Sequence, residues 1–166
     1  MSFNATNTLA PLARRVSMFS TYDRDGVSLV YPEGWRADEE SDEDARLQLT
    51  LSSPNTAFWT LILYAETLEL RSVADQALEA LRQEYPDLEA ETAEEVLHGA
   101  VTVGHDVNFI CLDLTSTTHL RAFHRGATTC LVMCQAEDRE LDTVEPVFAA
   151  ITASLLGALP RQPMAD

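Results

Sequence analysis

The sequence predicts an α+β fold, a mostly antiparallel sheet of about six strands with helices packed on it. Three observations carry that expectation. Short segments of alternating or uniformly apolar residues recur along the chain. Asp25-Gly26 and Arg125-Gly126 separate neighbouring strand candidates as hairpin turns do. Two longer segments repeat their apolar residues at spacings of three and four. With 166 residues and an apolar fraction of 46%, the chain has the material for one buried core. The expected division is an N-terminal extension over 1–17, a single domain over 18–157 and a tail over 158–166.

Within the extension, Leu9 to Val16 suits a short helix. Met18 to Tyr22 and Val27 to Tyr31 read as the arms of a β-hairpin, because Asp25-Gly26 supplies the positive φ angles of a tight turn. Pro32 cannot extend a ladder and Gly34 permits a sharp bend, so Trp35 is expected to fold back as a lid over the core. Residues 38–44 hold six acids in seven positions. Self-repulsion should keep that run extended and solvated. Leu47, Leu49 and Leu51 alternate with Gln48 and Thr50 as in a half-buried strand. After a turn at Ser52-Ser53-Pro54-Asn55, Ala57 to Ala65 is apolar on both faces, the mark of a central strand in a sheet covered on both sides.

Ser72 followed by Asp75 has the pattern of a helix-opening capping box. Val73, Ala77, Leu78, Leu81 and Tyr85 form its apolar stripe and Pro86 its stop. Residues 91–98 fit a strand or a loop equally, and Gly99 and Gly104 are expected at turns. A meander of strands over 107–115, 118–124 and 127–135 follows. The chain closes with a helix from about Asp142, striped by Leu141, Val144, Phe148, Ile151 and Leu155. Pro146 is tolerable in its first turn, which Asp142 and Glu145 can cap, and Gly157 is its end.

Net charge is −16, and all eleven basic side chains are Arg. A field of that sign repels nucleic acid and anionic membranes and could steer a basic partner. No window approaches the roughly 18 apolar residues of a membrane span. Arg14 and Arg15 are followed by Ser17, Ser20, Thr21 and Asp23, not by an apolar run, so neither a secretory signal nor a lipid-attachment box is expected. Cys111, Cys130 and Cys134 lack zinc or redox spacing. On one strand Cys130 and Cys134 would stand about 13 Å apart, too far to bridge. Free thiols in a reducing cytoplasm are the expectation.

Catalytic signatures are missing. The sequence has no G-x-S-x-G elbow, phosphate loop, dinucleotide fingerprint or H-E-x-x-H. His119 and His124, five apart on one strand, point to opposite faces and cannot share a metal. His98 and His105 flank a turn-rich segment, and the acids Glu89, Glu91, Glu94 and Glu95 read as a solvated face. His124 and Cys130 come nearest to a base and nucleophile, but Cys130, Val132 and Cys134 share a strand face that reads as core. No enzyme, cofactor or metal is expected. One arrangement suggests recognition. His119, Arg121 and Phe123 alternate on one strand face, and with Leu131 and Met133 of the next strand taken to share it, they form a patch of protein-binding composition. Otherwise a helix covers that face and Arg121 pairs with an acid. A second class of function is a small-molecule or metal-ion module using the sheet face or the acidic 38–44 loop. There Asp38, Glu40 and Asp42 loosely match a calcium loop, without its central Gly and closing Glu.

The hairpin ending in Tyr31-Pro32-Glu33-Gly34-Trp35 and the terminal helix reading Phe148-Ala149-Ala150-Ile151-Thr152-Ala153-Ser154-Leu155 resemble the PsbP-like superfamily over residues 18–157. That superfamily includes the PsbP extrinsic proteins of photosystem II, the Mog-type Ran-binding factors and DcrB-like bacterial proteins. The resemblance implies an α/β/α sandwich, no catalytic residues and a role in binding or assembly. No targeting segment or Ran-binding signature is evident. The cytoplasmic DcrB-like group, similar in size, implies a chaperone-like hold on the apolar helices of secretion effectors. The expected function is therefore a non-enzymatic, cytoplasmic protein-binding or assembly domain. Its partner is a protein of unknown identity, with a homodimer left open.

Overall fold

The computed structural model describes residues 18–41 and 43–157; the expected helix at Leu9 to Val16 lies outside them. The chain opens with the expected hairpin, β1 (Phe19–Arg24) and β2 (Val27–Pro32), paired antiparallel from Arg24↔Val27 to Phe19↔Pro32. Asp25 and Gly26 both take positive φ, +54° and +78°, at its two-residue turn.

Seven further strands form one antiparallel sheet. They are β3 (Arg36–Glu40), β4 (Leu47–Ser52), β5 (Phe58–Tyr64), β6 (Glu89–Leu97), β7 (Ala100–Cys111), β8 (Leu114–Arg125) and β9 (Thr128–Glu137), in the order β3-β4-β5-β9-β8-β7-β6. β5 lies inside the sheet between β4 and β9, as its two apolar faces require, while β9 takes the central place. Helix α1 (Leu70–Glu84) covers one face of the sheet. Helix α2 (Asp138–Gly157) and the β1–β2 hairpin cover the other. The result is an α+β sandwich, as the sequence predicts.

Several local expectations are corrected. Part of the acidic run is a strand. Residues 36–40 pair with β4, where Glu39 accepts from Tyr22 Oη and from Arg24 Nη1 at 2.5 Å. The segment left between strand and loop is β6, the opposite edge of the sheet. Both edges are thus acidic, with Asp38, Glu39 and Glu40 on one and Glu89, Glu91, Glu94 and Glu95 on the other. Charged edge strands discourage further strand addition.

Gly104 is no turn: it lies within β7, where a Cβ would come 1.6 Å from the Leu120 carbonyl oxygen. The turn between β7 and β8 is Leu112-Asp113, with φ of +52° and +64°, which splits the strand expected over 107–115. Helix α1 is capped by Glu69, whose carboxylate accepts from the Arg71 and Ser72 amides; Asp75 instead accepts from His105 Nε2 at 2.8 Å. Helix α2 begins at Asp138, so Pro146 stands inside it.

The two sequence motifs behind the resemblance meet in space. Trp35 packs edge-on against Phe148, with centroids 6.1 Å apart and planes at 85°. The Val30 amide donates to Ser154 Oγ at 2.9 Å. Phe148, Ile151 and Leu155 are buried beneath the hairpin beside Trp59, whose Nε1 donates to Thr152 Oγ1 at 3.0 Å. The motifs form a clasp that fixes hairpin and helix on one face of the sheet.

Candidate protein-binding cleft

The patch read from the sequence divides between the two faces of the sheet. β8 and β9 are joined by the two-residue turn Gly126-Ala127, so Arg121 stands opposite Val132 and His119 opposite Cys134. His119, Arg121 and Phe123 therefore share the α2 face with Cys130, Val132 and Cys134. Leu131 and Met133 lie on the other face, against α1. Phe123 and Leu131 are buried in the two cores and offer no surface.

Between α2 and the β6–β8 end of the sheet, a cleft of about 320 Å3 remains open. Its floor is mainly apolar, made by Leu97 of β6, Val132 and Cys134 of β9, and Phe148 and Ala149 of α2, with Thr152 of α2 beside them and His98 of the β6–β7 turn at the rim. Its wall is a chain of charged groups running across four elements. Arg121 Nε donates to Glu95 at 2.7 Å and Nη2 to Asp106 at 2.8 Å, while Nη1 donates to the carbonyls of Leu120 and His105 at 2.9 and 3.3 Å. His119 Nδ1 donates to Asp106 at 2.6 Å, and its Nε2 lies 3.4 Å from Glu145 of α2.

The Arg121 side chain is only 12% exposed. Gly104, directly opposite Arg121 in the ladder, leaves no side chain beside the bonds to the flanking carbonyls. Burial alone would raise the Asp106 carboxyl. The hydrogen bonds and charges of His119 and Arg121 outweigh it and hold that carboxyl below its ordinary value. Arg121 is thus a strut of the sheet, the covered and acid-paired alternative of the sequence reading.

Neither buried thiol on this side of the sheet is activated as a nucleophile. Burial pushes the Cys134 thiol up to about 12 and the Cys130 thiol up to about 11. His124 and Cys130 do not meet: His124 Nε2 donates to the Leu68 carbonyl at 2.6 Å on the α1 side, whereas Cys130 lies in the core beneath α2. Among the described residues no group of three or more His, Cys, Asp or Glu could hold a metal ion; Asp42 of the acidic run lies outside them. No described helix is long and apolar enough to cross a membrane.

Sequence reasoning missed Asp106, Glu95, Glu145 and Ala149. A signal for two of them existed. If 91–98 is read as a strand, Glu95 and Leu97 share a face, and an alternating segment containing Gly104 places Asp106 beside it. Away from the cleft, Ile110 and Leu112 at the β7–β8 turn are the most exposed large apolar side chains described, Leu112 at 90%.

No protein-family model matches the chain, and no curated protein does. Its fold does match solved structures. The cyanobacterial PsbP (CyanoP) of Synechocystis sp. PCC 6803 has a TM-score of 0.58 and 14% identity, over 82% of this chain and 91% of that one. LpqN of Mycobacterium tuberculosis, involved in cell envelope biogenesis, has a TM-score of 0.52 and 17% identity, over 82% and 90%. The Ran-binding protein Mog1p of Saccharomyces cerevisiae has a TM-score of 0.51 and 14% identity, over 85% and 92%. At these identities the likeness is one of fold. With the sandwich and these matches together, the chain has a PsbP-like fold.

Proposed function

We propose that the chain is a non-enzymatic protein-binding or assembly domain that receives its partner in the cleft between α2 and the β6–β8 end of the sheet. The observation that carries this reading is the cleft's apolar floor, which stays open although the polar wall around Arg121 is bonded internally. Such a surface is preorganised for an apolar side chain and has no group poised for chemistry. Its volume of about 320 Å3 is at the small end of the roughly 300–1,000 Å3 of small-molecule sites and it is open to one side, which suits a side chain from a partner's surface. Mog1p, of the same fold, is described as Ran-binding, and this chain is read by analogy as a binder too. A reducing cytoplasm suits its three free thiols.

The test is capture with two baits. Ala149 is an exposed helical position on the cleft, so Ala149→Arg lays a long side chain across the opening without touching the core. A protein retained by the wild-type bait and lost with Ala149→Arg, at unchanged melting temperature, supports the reading. Retention of the same proteins by both baits refutes it.

A further inference from the structure

We infer that the cleft takes a basic amphipathic segment, one that buries a single leucine-sized or aromatic side chain on the floor and sets a Lys or Arg against Glu145; this rests on the cleft being the docking site. The argument is one of charge accounting. Arg121, the only guanidinium among the described residues of the wall, already donates through Nε, Nη1 and Nη2 to two carboxylates and two carbonyls, so it has little left for an incoming anion. Glu95 and Asp106 satisfy Arg121 but bring two negative charges to its one. Glu145 adds a third at the lip of α2. It is 49% exposed, and among the described residues it meets only His119 Nε2, at 3.4 Å.

Arg121 against Glu95, Asp106 and Glu145 thus leaves a net −2 on the wall before its two histidines, His98 and His119, are counted. The chain as a whole carries −16, which adds attraction for a cationic segment and repulsion for an acidic one. The floor adds the second requirement. Leu97, Val132, Phe148 and Ala149 offer no hydrogen-bonding side chain and Thr152 Oγ1 is already engaged by Trp59 Nε1, so a purely polar cation gains little on the floor itself. Charge brings the segment to the lip and the apolar side chain holds it there.

Three synthetic peptides test this by fluorescence anisotropy against the full chain. One carries leucines at helical spacing flanked by Lys and Arg. The second replaces its basic residues with Glu, and the third replaces its leucines with Ser. The first should bind at least about tenfold tighter than either control, as a complementary surface discriminates charge. Glu145→Gln should weaken it about two- to fivefold, the range for one exposed ion pair. Ala149→Arg should abolish its binding.

Equal binding of the leucine-free peptide would overturn the inference, because attraction would then be unspecific charge alone. Preference for the acidic peptide, lost in Ala149→Arg, would overturn the basic class and leave the cleft standing. Binding of the basic peptide that Ala149→Arg leaves intact would overturn the cleft itself. No binding of any peptide would overturn the basic class, with the two-bait capture deciding the cleft independently.

Discussion

Replacing Arg121 with Met keeps the aliphatic stem and removes the guanidinium, so it isolates the bonds that tie β6, β7 and β8 along the wall of the cleft. The carbonyls of Leu120 and His105 lose a donor each, worth about 1 kcal/mol apiece net. Asp106 and Glu95 lose their ion pairs. Their side chains are 38% and 46% exposed, so water recovers much of the loss and each pair counts for no more than about 0.5 kcal/mol. The total is about 3 kcal/mol, a large part of the ~5–15 kcal/mol that holds a typical domain together.

Urea denaturation at pH 7 should show the midpoint falling by roughly 1–2 M with unchanged slope. Acid supplies a second readout. Asp106 has a folded-state carboxyl below its unfolded value, so its contribution is present above the unfolded pKa and is lost as pH falls through the folded one. Without Arg121 that depression shrinks. The gap between wild type and variant should therefore be full at pH 7 and narrow below about pH 4. A difference below about 0.5 kcal/mol at pH 7 would refute the strut and return Arg121 to the role of a free docking side chain.

Three further outcomes follow from other parts of the fold. Gly104→Ala must push the Leu120 carbonyl away from a Cβ that would stand 1.6 Å from it, parting β7 from β8 at a cost of at least about 3 kcal/mol; a wild-type melting temperature would show that the strands yield cheaply. Glu69→Ala removes the carboxylate that accepts from the Arg71 and Ser72 amides and should cost about 1 kcal/mol by thermal melt with no effect on partner capture, since α1 lies on the face opposite the cleft; a loss of capture would contradict that placement. Cys130 and Cys134, buried and with thiols pushed up to about 11 and about 12, should resist a thiol reagent at pH 8 until the chain unfolds, leaving half-buried Cys111 as the one site in the native state; fast labelling of three thiols would sink the core assignment.

Much of the fold was legible because local chemistry agrees with tertiary structure there. Asp25-Gly26 dictates a tight turn, the alternation Leu47-Gln48-Leu49-Thr50-Leu51 a one-sided strand, and the uniformly apolar run from Phe58 an interior one. The acidic segments were harder. An edge strand needs only one neighbour and no buried face, so Glu89–Leu97 leaves little periodic signal, and residues 38–44 read as a solvated run because the side chains of the strand it overlaps, Arg36–Glu40, are exposed. The turn at Leu112-Asp113 carried no glycine to announce its positive φ. The candidate site failed on parity. The expected turn Arg125-Gly126 and the observed Gly126-Ala127 are both two-residue loops, so under either one the even-numbered residues of β9 share the face of Arg121, and Leu131 and Met133 fall on the other.

By itself, then, the sequence determined the α+β class, the hairpin, the interior strand, the stripes of both helices and the pair of motifs that mark this fold. Each of these depends on residues within a turn or two of one another, where propensity and periodicity act directly. The tertiary structure alone decided that Trp35 and Phe148 meet as a clasp, that Arg121 is bonded on every side rather than offered to a partner, and that a cleft with an acidic lip opens between α2 and the sheet. Those are contacts between residues far apart in the chain, from Glu95 through Asp106 and His119 to Glu145. Only the register of β6 through β9 and the seat of α2 bring their charges to within hydrogen-bond reach.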